Sequence, residues 1–186
     1  PLYHAVAHGC KAGLHGDVFS SVVAQRIHRR EQGFSLHKLG AYGTELSALS
    51  AFFEHRWTRL SPSLTLTHWH ETLFGVTGFC LRGLGRLRDT SDLMLRSLRL
   101  ALDAGNIRGA SVEASNLSEL SLTLGDVSSA VGQGEQSVEL ADRSGDAFMR
   151  MARRTTLAAA LFCAGHIGRM KDESGRIKTD DDSSFV

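Results

Sequence analysis

The feature that most constrains the fold of this chain is a segment that recurs at a fixed distance along the sequence. Residues 97–106 read SLRLALDAGN and residues 137–146 read SVELADRSGD, so Ser, Leu, Ala, Gly and Asn or Asp return at matching places. The same shift links Gly85, Gly125 and Gly165, each of which closes an apolar run. Glycines at equal spacing behind periodic apolar segments predict a chain assembled from repeated supersecondary units.

Each 40-residue unit has the pattern of two helices. Residues 109–124 carry apolar side chains at helical spacing, and Gly125 is a favourable helix end. Asp126 is a suitable N-cap for a second helix that continues to Ser144. Residues 147–164 open a third unit in the same way. No segment shows the sustained alternation of a strand, so we predict an all-α fold of antiparallel helix-pair repeats, with about seven to eight helices.

The repeat covers only part of the chain. Residues 68–166 hold the 40-residue period, whereas residues 1–54 form less regular helical segments over about 2–12, 17–32 and 39–54. Residues 55–67 contain Ser61-Pro62-Ser63 and are predicted to be a linker. Residues 167–186 are rich in Asp, Lys, Arg and Ser, which predicts a polar tail that is irregular or disordered.

Composition excludes several functional classes. The 186 residues include 21 basic and 20 acidic side chains, and this balance does not favour nucleic-acid binding. No apolar run is long enough for a membrane span, so none is expected. The three cysteines are scattered and unpaired in spacing, which is typical of a cytoplasmic protein.

The helix pairs resemble the tetratricopeptide repeat. The residues that carry this resemblance are Phe74, Gly78, Leu81 and Gly85, then Ala114, Leu117, Ser121 and Gly125, then Arg154, Leu157, Leu161 and Gly165. The period exceeds the usual value of about 34 residues, and the closing proline is absent. Residues 2–10 and 114–120 also resemble the C-terminal arrays of bacterial signalling ATPases of the NACHT/STAND type. That resemblance implies a module for protein–protein interaction within a larger bacterial signalling protein.

In such arrays the first helix of each pair lines a concave groove that accepts a peptide or a partner helix. The polar residues of the first helices are the candidates for this lining, with Asn116 and Arg153 preferred. An Asn side chain both donates to and accepts from a peptide backbone, and an Arg can bind a carboxylate through two nitrogens. The remaining candidates are Glu119, Arg150, Arg82, Glu113 and His70, together with Arg154 and Glu71. The alternative is that each is an ordinary solvated position.

Two other functional classes remain open at this stage. Exposed terminal helices could stack on a second copy of the chain, so that the module serves self-assembly. A metal-dependent enzyme could use His4 and His8, which share a helix face, but no third ligand has a suitable spacing. No phosphate-binding glycine loop and no nucleophile motif is present, so we predict no catalytic residue, no metal and no cofactor.

Overall fold

The computed structural model describes residues 1–182, and it describes side chains there except for Glu31 and residues 177–182. The chain forms two compact units that divide between Arg96 and Ser97. Each unit is considered separately below.

The described residues contain nine α-helices and a short hairpin. The helices are α1 (Leu2–Lys11), α2 (His15–Val18), α3 (Tyr42–Leu49), α4 (His68–Gly83), α5 (Leu87–Asp103), α6 (Ile107–Thr123), α7 (Val127–Ser144), α8 (Ala147–Cys163) and α9 (Ile167–Asp182). Two π-helical segments, Phe19–Ile27 and Phe34–Lys38, and two 3₁₀ turns, Arg30–Gln32 and Ser50–Phe52, lie between α2 and the hairpin. The hairpin pairs β1 (Phe53–His55) with β2 (Arg59–Leu60) in antiparallel fashion. The prediction of an all-α array of helix pairs is confirmed.

The helices of the repeat end in nearly the same way at evenly spaced glycines. Gly85, Gly105, Gly125, Gly145 and Gly165 all have a positive φ, between 69° and 81°. This conformation is open to glycine and costly for other residues. After most of these glycines, the next amide donates to the carbonyl five residues before it, as the N–H of residue 126 does to the carbonyl of residue 121 at 2.9 Å. The turn is therefore a standard helix stop, and each repeat consists of two halves of equal length.

The following residue starts the next helix. Asn106, Asp126 and Asp146 each accept a hydrogen bond from the backbone N–H three residues later, at 3.0–3.1 Å. These bonds satisfy amide groups that the first turn of a helix leaves without partners. Hydrogen bonds to Ser129 lower the pKa of the Asp126 carboxyl, and the bond to the Met149 backbone lowers that of Asp146. The predicted N-cap Asp126 is confirmed, and Asp146 caps α8 in the same way.

In the second unit, α7 packs against both α6 and α8, and the helices approach closely because small residues lie between them. Ser118 Oγ donates to the carbonyl of Ala130 at 2.7 Å. A Cβ added at Gly134 would lie 3.1 Å from Leu157 Cδ1 and 3.3 Å from Ser118 Oγ. Gly134 is therefore a close-contact glycine, whereas Gly132 faces open space.

The first unit is held together by a buried polar cluster and by aromatic contacts. Glu45 is only 1% exposed, and its carboxylate lies 2.6 Å from His28 Nε2. Tyr3 donates its hydroxyl to the other carboxylate oxygen at 3.2 Å. Phe19 packs edge-on against Phe52 with ring centroids 5.5 Å apart. The polar cluster fixes α1 and α3 to the end of the π-helical segment that lies between them in the chain.

Three predictions about the irregular parts are wrong. The helix expected over 39–54 spans only α3 and one 3₁₀ turn before the chain becomes extended in β1. The linker predicted for 55–67 includes strand β2, and Leu64 in it is buried, so the segment is internal to the first unit. The expected absence of strands is wrong as well, because the hairpin is too short to show alternation in the sequence.

The tail is also more regular than predicted. Residues 167–182 form α9, whereas residues 183–186 of the predicted tail lie outside the described residues. Met170 packs against the core residues Val138, Leu157 and Leu161, and Arg169 pairs with Glu135 of α7. Among the described side chains of this helix, Met170 and the ion-paired Arg169 and Glu173 attach it to α7 and α8, and its sequence lacks the apolar stripe of the other helices.

The two glycines of α7 provide a matched pair for testing the packing. We expect Gly134→Leu to destabilise the chain by about 2 kcal/mol or more, because the added side chain would overlap Leu157 and Ser118. We expect Gly132→Leu to stabilise it by about 0.5–1 kcal/mol, because leucine favours a helix over glycine and meets open space. Urea unfolding followed by circular dichroism measures both. Equal effects at the two positions would contradict the assigned packing.

Candidate interaction surface on helices α6 and α8

Helices α6 and α8, the first helices of two successive pairs, pack side by side in the second unit. Ser115 Oγ of α6 donates to Thr156 Oγ1 of α8 at 3.1 Å. Near the beginning of both helices, Arg108 Nε lies 3.2 Å from the carboxylate of Asp146, the N-cap of α8. The seam between the two helices is therefore polar at both of these points.

Arg153 of α8 is a partly buried cation beside this seam. Burial lowers the pKa of its guanidinium; the carboxylates of Glu119 and Glu113 act in the opposite direction, and the nearby charge of Arg108 adds to the lowering. Its Nε is buried and has no hydrogen-bond partner among the described residues. One terminal nitrogen lies 3.4 Å from the thioether of Met149, a weak acceptor.

The structure places five of the seven predicted residues on these two helices. Glu113, Asn116 and Glu119 follow one another at intervals of three residues on α6, and Arg150 and Arg153 do so on α8. Glu113 is buried, Asn116, Arg150 and Arg153 are half-buried, and Glu119 is exposed. Electrostatic interactions join Arg153 to both glutamates. The arrangement offers guanidinium donors, carboxylate acceptors and an amide within one surface, which suits a polar peptide.

Arg154 does not belong to this surface, although its place in the sequence makes it a candidate. It is 7% exposed and binds the Asp142 carboxylate of α7 with both terminal nitrogens, at 2.8 Å and 3.1 Å. Its Nε lies 3.5 Å from Glu173 of α9. Arg154 therefore joins α7, α8 and α9 inside the unit. The turn of about 100° between neighbouring helix residues separates it from Arg153.

Arg82 and His70 lie in the first unit, on α4. His70 Nε2 is 3.1 Å from the carbonyl of Leu64, and the Arg82 guanidinium lies 5.4 Å from the centre of the Phe79 ring. Both side chains are half-buried. Their expected role in partner binding stays a prediction.

Sequence reasoning missed several residues that shape the surface. Arg108, Met149 and Thr156 contact the predicted residues or their neighbours but are not singled out by any motif. Only the repeat register could have revealed Thr156, because it lies one position beyond the residue equivalent to Ser115 in the next repeat.

The environments of His4, His8 and two cysteines bear on the enzymatic alternative. His4 and His8 are both exposed, and the described part of the chain has no group of three or more His, Cys, Asp or Glu placed to hold a metal ion. Burial raises the pKa of Cys10 to about 11, and burial together with the Glu45 charge raises that of Cys80 to about 12. None of the helices within residues 1–182 combines the length and the apolar character that crossing a membrane requires.

The fold has a counterpart among solved structures. The chain is similar to a crystal structure from Podospora anserina described as a kinesin light chain with nearly identical TPR-like repeats, with a TM-score of 0.61 at 13% sequence identity. The match covers 98% of this chain and 94% of the other. No protein-family profile matches the sequence, and no curated protein sequence does either. The similarity shows that the fold is a TPR-like helical array.

Removing the Arg154 ion pairs should weaken the second unit. We expect Arg154→Leu to lower the free energy of unfolding by about 2–3 kcal/mol, because it leaves Asp142 and Glu173 without a buried cation. The loss should be smaller than for a fully buried pair because Asp142 is partly exposed. Urea denaturation measures the loss, and Arg143→Leu at an exposed position of α7 is the control. A loss equal to that of the control would refute the role.

The cysteines should differ in reactivity. At about pH 8 we expect one thiol per chain, the exposed Cys163, to react rapidly with a chromogenic disulfide reagent. Cys10 and Cys80 remain protonated and shielded at that pH because their pKa values are raised. All three should react after unfolding in denaturant. Rapid reaction of two or more thiols in the folded chain would show that the described burial is wrong.

Proposed function

We propose that this chain is a non-catalytic protein-interaction module whose second unit binds an extended peptide or a partner helix along α6 and α8. The observation that carries the proposal is the state of Arg153. Its guanidinium is partly removed from water, yet its Nε has no hydrogen-bond partner in the described residues. A guanidinium keeps its charge at all physiological pH values. An incoming carboxylate would therefore meet a cation that has already lost part of its hydration.

Partly desolvated arginines are favourable contact points in protein interfaces. The folded chain has already removed part of the water around such a guanidinium. A carboxylate that binds it therefore loses less free energy to desolvation than one that binds a fully hydrated arginine. Glu113 and Glu119 oppose a purely acidic partner, because both interact with the same guanidinium. The surface therefore favours a partner that presents one acidic side chain among neutral or basic ones.

Asn116 supports a peptide rather than a small anion as the ligand. It is half-buried on α6 between the two glutamates, three residues from each. Its amide has donors and an acceptor, as a peptide group has, and can bond an extended backbone in both directions. Together, Asn116 would hold the main chain and Arg153 would select an acidic side chain.

The wider context of the module is also a proposal. Residues 2–10 and 114–120 resemble arrays of bacterial signalling ATPases, which supports a place in a larger signalling protein of the bacterial cytoplasm. The three unpaired cysteines, of which Cys10 and Cys80 are buried and Cys163 is exposed, fit a reducing compartment. The gene around this segment tests the idea, because a nucleotide-binding domain encoded in the same reading frame is the expected finding. A reading frame without such a domain would reject the ATPase context and leave the interaction role untouched.

Peptide selection tests the binding proposal directly. We expect a displayed library of random peptides, selected on the immobilised chain, to yield sequences that share an Asp or Glu. Arg153→Gln should weaken the affinity of a selected peptide by about tenfold or more, as the loss of a charged contact in an interface does. Asn116→Ala should weaken it to a similar degree. Isothermal titration calorimetry measures both.

The matched control is Arg143→Gln, which removes the same charge from an exposed position of α7. It should leave peptide affinity unchanged, and circular dichroism should show equal helix content in all variants. Peptides that bind equally to Arg153→Gln and to the unchanged chain would refute the assigned surface.

A further inference from the structure

The face of α8 that points away from the rest of the second unit carries an uncharged stripe. Phe148 and Phe162 stand at its two ends and are 62% and 61% exposed. Thr155, also exposed, lies midway between them. Between these three residues, the same face of α8 carries Met151, Ala152, Ala158 and Ala159. We call these seven residues the end stripe.

The repeat itself shows what kind of element covers such a face. Ser115 of α6 is the equivalent of Thr155 in the preceding repeat, and it is completely buried because α8 packs there and bonds it through Thr156. The end stripe is the same face of the next first helix. In this fold the element that covers it is therefore another first helix.

Phe148 and Phe162, at the two ends of the stripe, are large apolar side chains exposed to water. A helix face that stays uncovered in a stacked array is usually polar, since an exposed apolar face lowers solubility. Here the residue equivalent to Phe148 in the preceding repeat is Arg108, so the exposed helix carries phenylalanine where the covered helix carries a charge. Two large, exposed aromatic side chains on one helix face indicate a contact surface.

The order of residues in the stripe is nearly the same in both directions. Phe148 precedes Thr155 by seven positions, and Phe162 follows it by seven; Met151 and Ala159 are each four away. Two antiparallel copies of α8 related by a two-fold axis at Thr155 would therefore place Phe148 against Phe162 of the second copy. Met151 would face Ala159, a large residue against a small one. The contact would extend over about 21 Å of helix.

We propose that α8 pairs with α8 of a second copy of this chain, in an antiparallel two-fold dimer centred on Thr155. A self-complementary patch is what a two-fold interface requires, because each residue must suit its partner on the same surface. One helix pair buries a small area, so the dimer should form in the micromolar range rather than tighter. Arg153 lies about 160° around α8 from Thr155, so the dimer leaves the peptide-binding surface open.

Sedimentation velocity across a concentration series tests the pairing. The unchanged chain should shift from the mass of one chain to that of two. Phe162→Glu should weaken dimerisation by about 100-fold or more, because two charges would be placed in an apolar contact, and Phe148→Glu should act alike. The control is Leu124→Glu, which adds the same charge at an exposed leucine of the α6–α7 turn and should leave the dimer intact. Both phenylalanines are exposed, so circular dichroism should show unchanged folding.

A symmetric cross-link tests the register. With Cys163 replaced by Ser, Thr155→Cys should form a disulfide with the same residue of the second copy under mild oxidation, because small side chains on both sides permit close approach. Ser128→Cys, at an exposed position of α7, should not. A chain that stays single at all concentrations overturns the proposal, and this is the result expected if the face serves a further repeat or a different partner. A dimer that is insensitive to Phe162→Glu, or that cross-links at 128 and not at 155, also overturns it.

Discussion

The glycine turn that recurs at even spacing is the constraint on which the second unit depends. At each turn a residue with positive φ stops one helix, and at most turns the next amide closes the end by bonding a carbonyl five residues back. Because successive turns are alike, every second helix returns to the same side, and α6 and α8 become neighbours. The polar seam, the partly desolvated Arg153 and the uncovered face of α8 all follow from that adjacency.

The helices of the repeat could be predicted because their signals are local. Gly125 and Asp126 mark a stop and a start in adjacent residues, and the structure places the helix ends within two residues of the predicted positions. Helix α9 could not be predicted in the same way. Its attachment depends on contacts between residues that are distant along the chain, Glu173 with Arg154 and Met170 with Val138. The hairpin and the π-helical segments of the first unit likewise lack a period that a sequence could show.

The helices that carry the candidate site could be predicted from the sequence, but the side chains that form it could not. Period and polarity identify the first helices as bearers of the polar residues, and Glu113, Glu119 and Arg153 do interact. Two adjacent arginines, however, have different environments: Arg153 lies on the seam, and Arg154 is buried among three helices. The two side chains point about 100° apart around α8, and only the packing of α7 and α9 decides which of the two arginines is buried.

The uniform half-repeat has a consequence for how such a chain can vary in length. Removing or duplicating one whole unit between equivalent turns, for example 107–146, would join equivalent helix starts, so that Asn106 would precede the helix that normally follows Asp146. Every stop, cap and buried stripe would stay in phase. An insertion of one residue inside a helix would instead rotate everything after it by about 100° and expose the core. The array can therefore gain or lose whole helix pairs without disturbing its packing, whereas an insertion of one residue inside a helix would disrupt it.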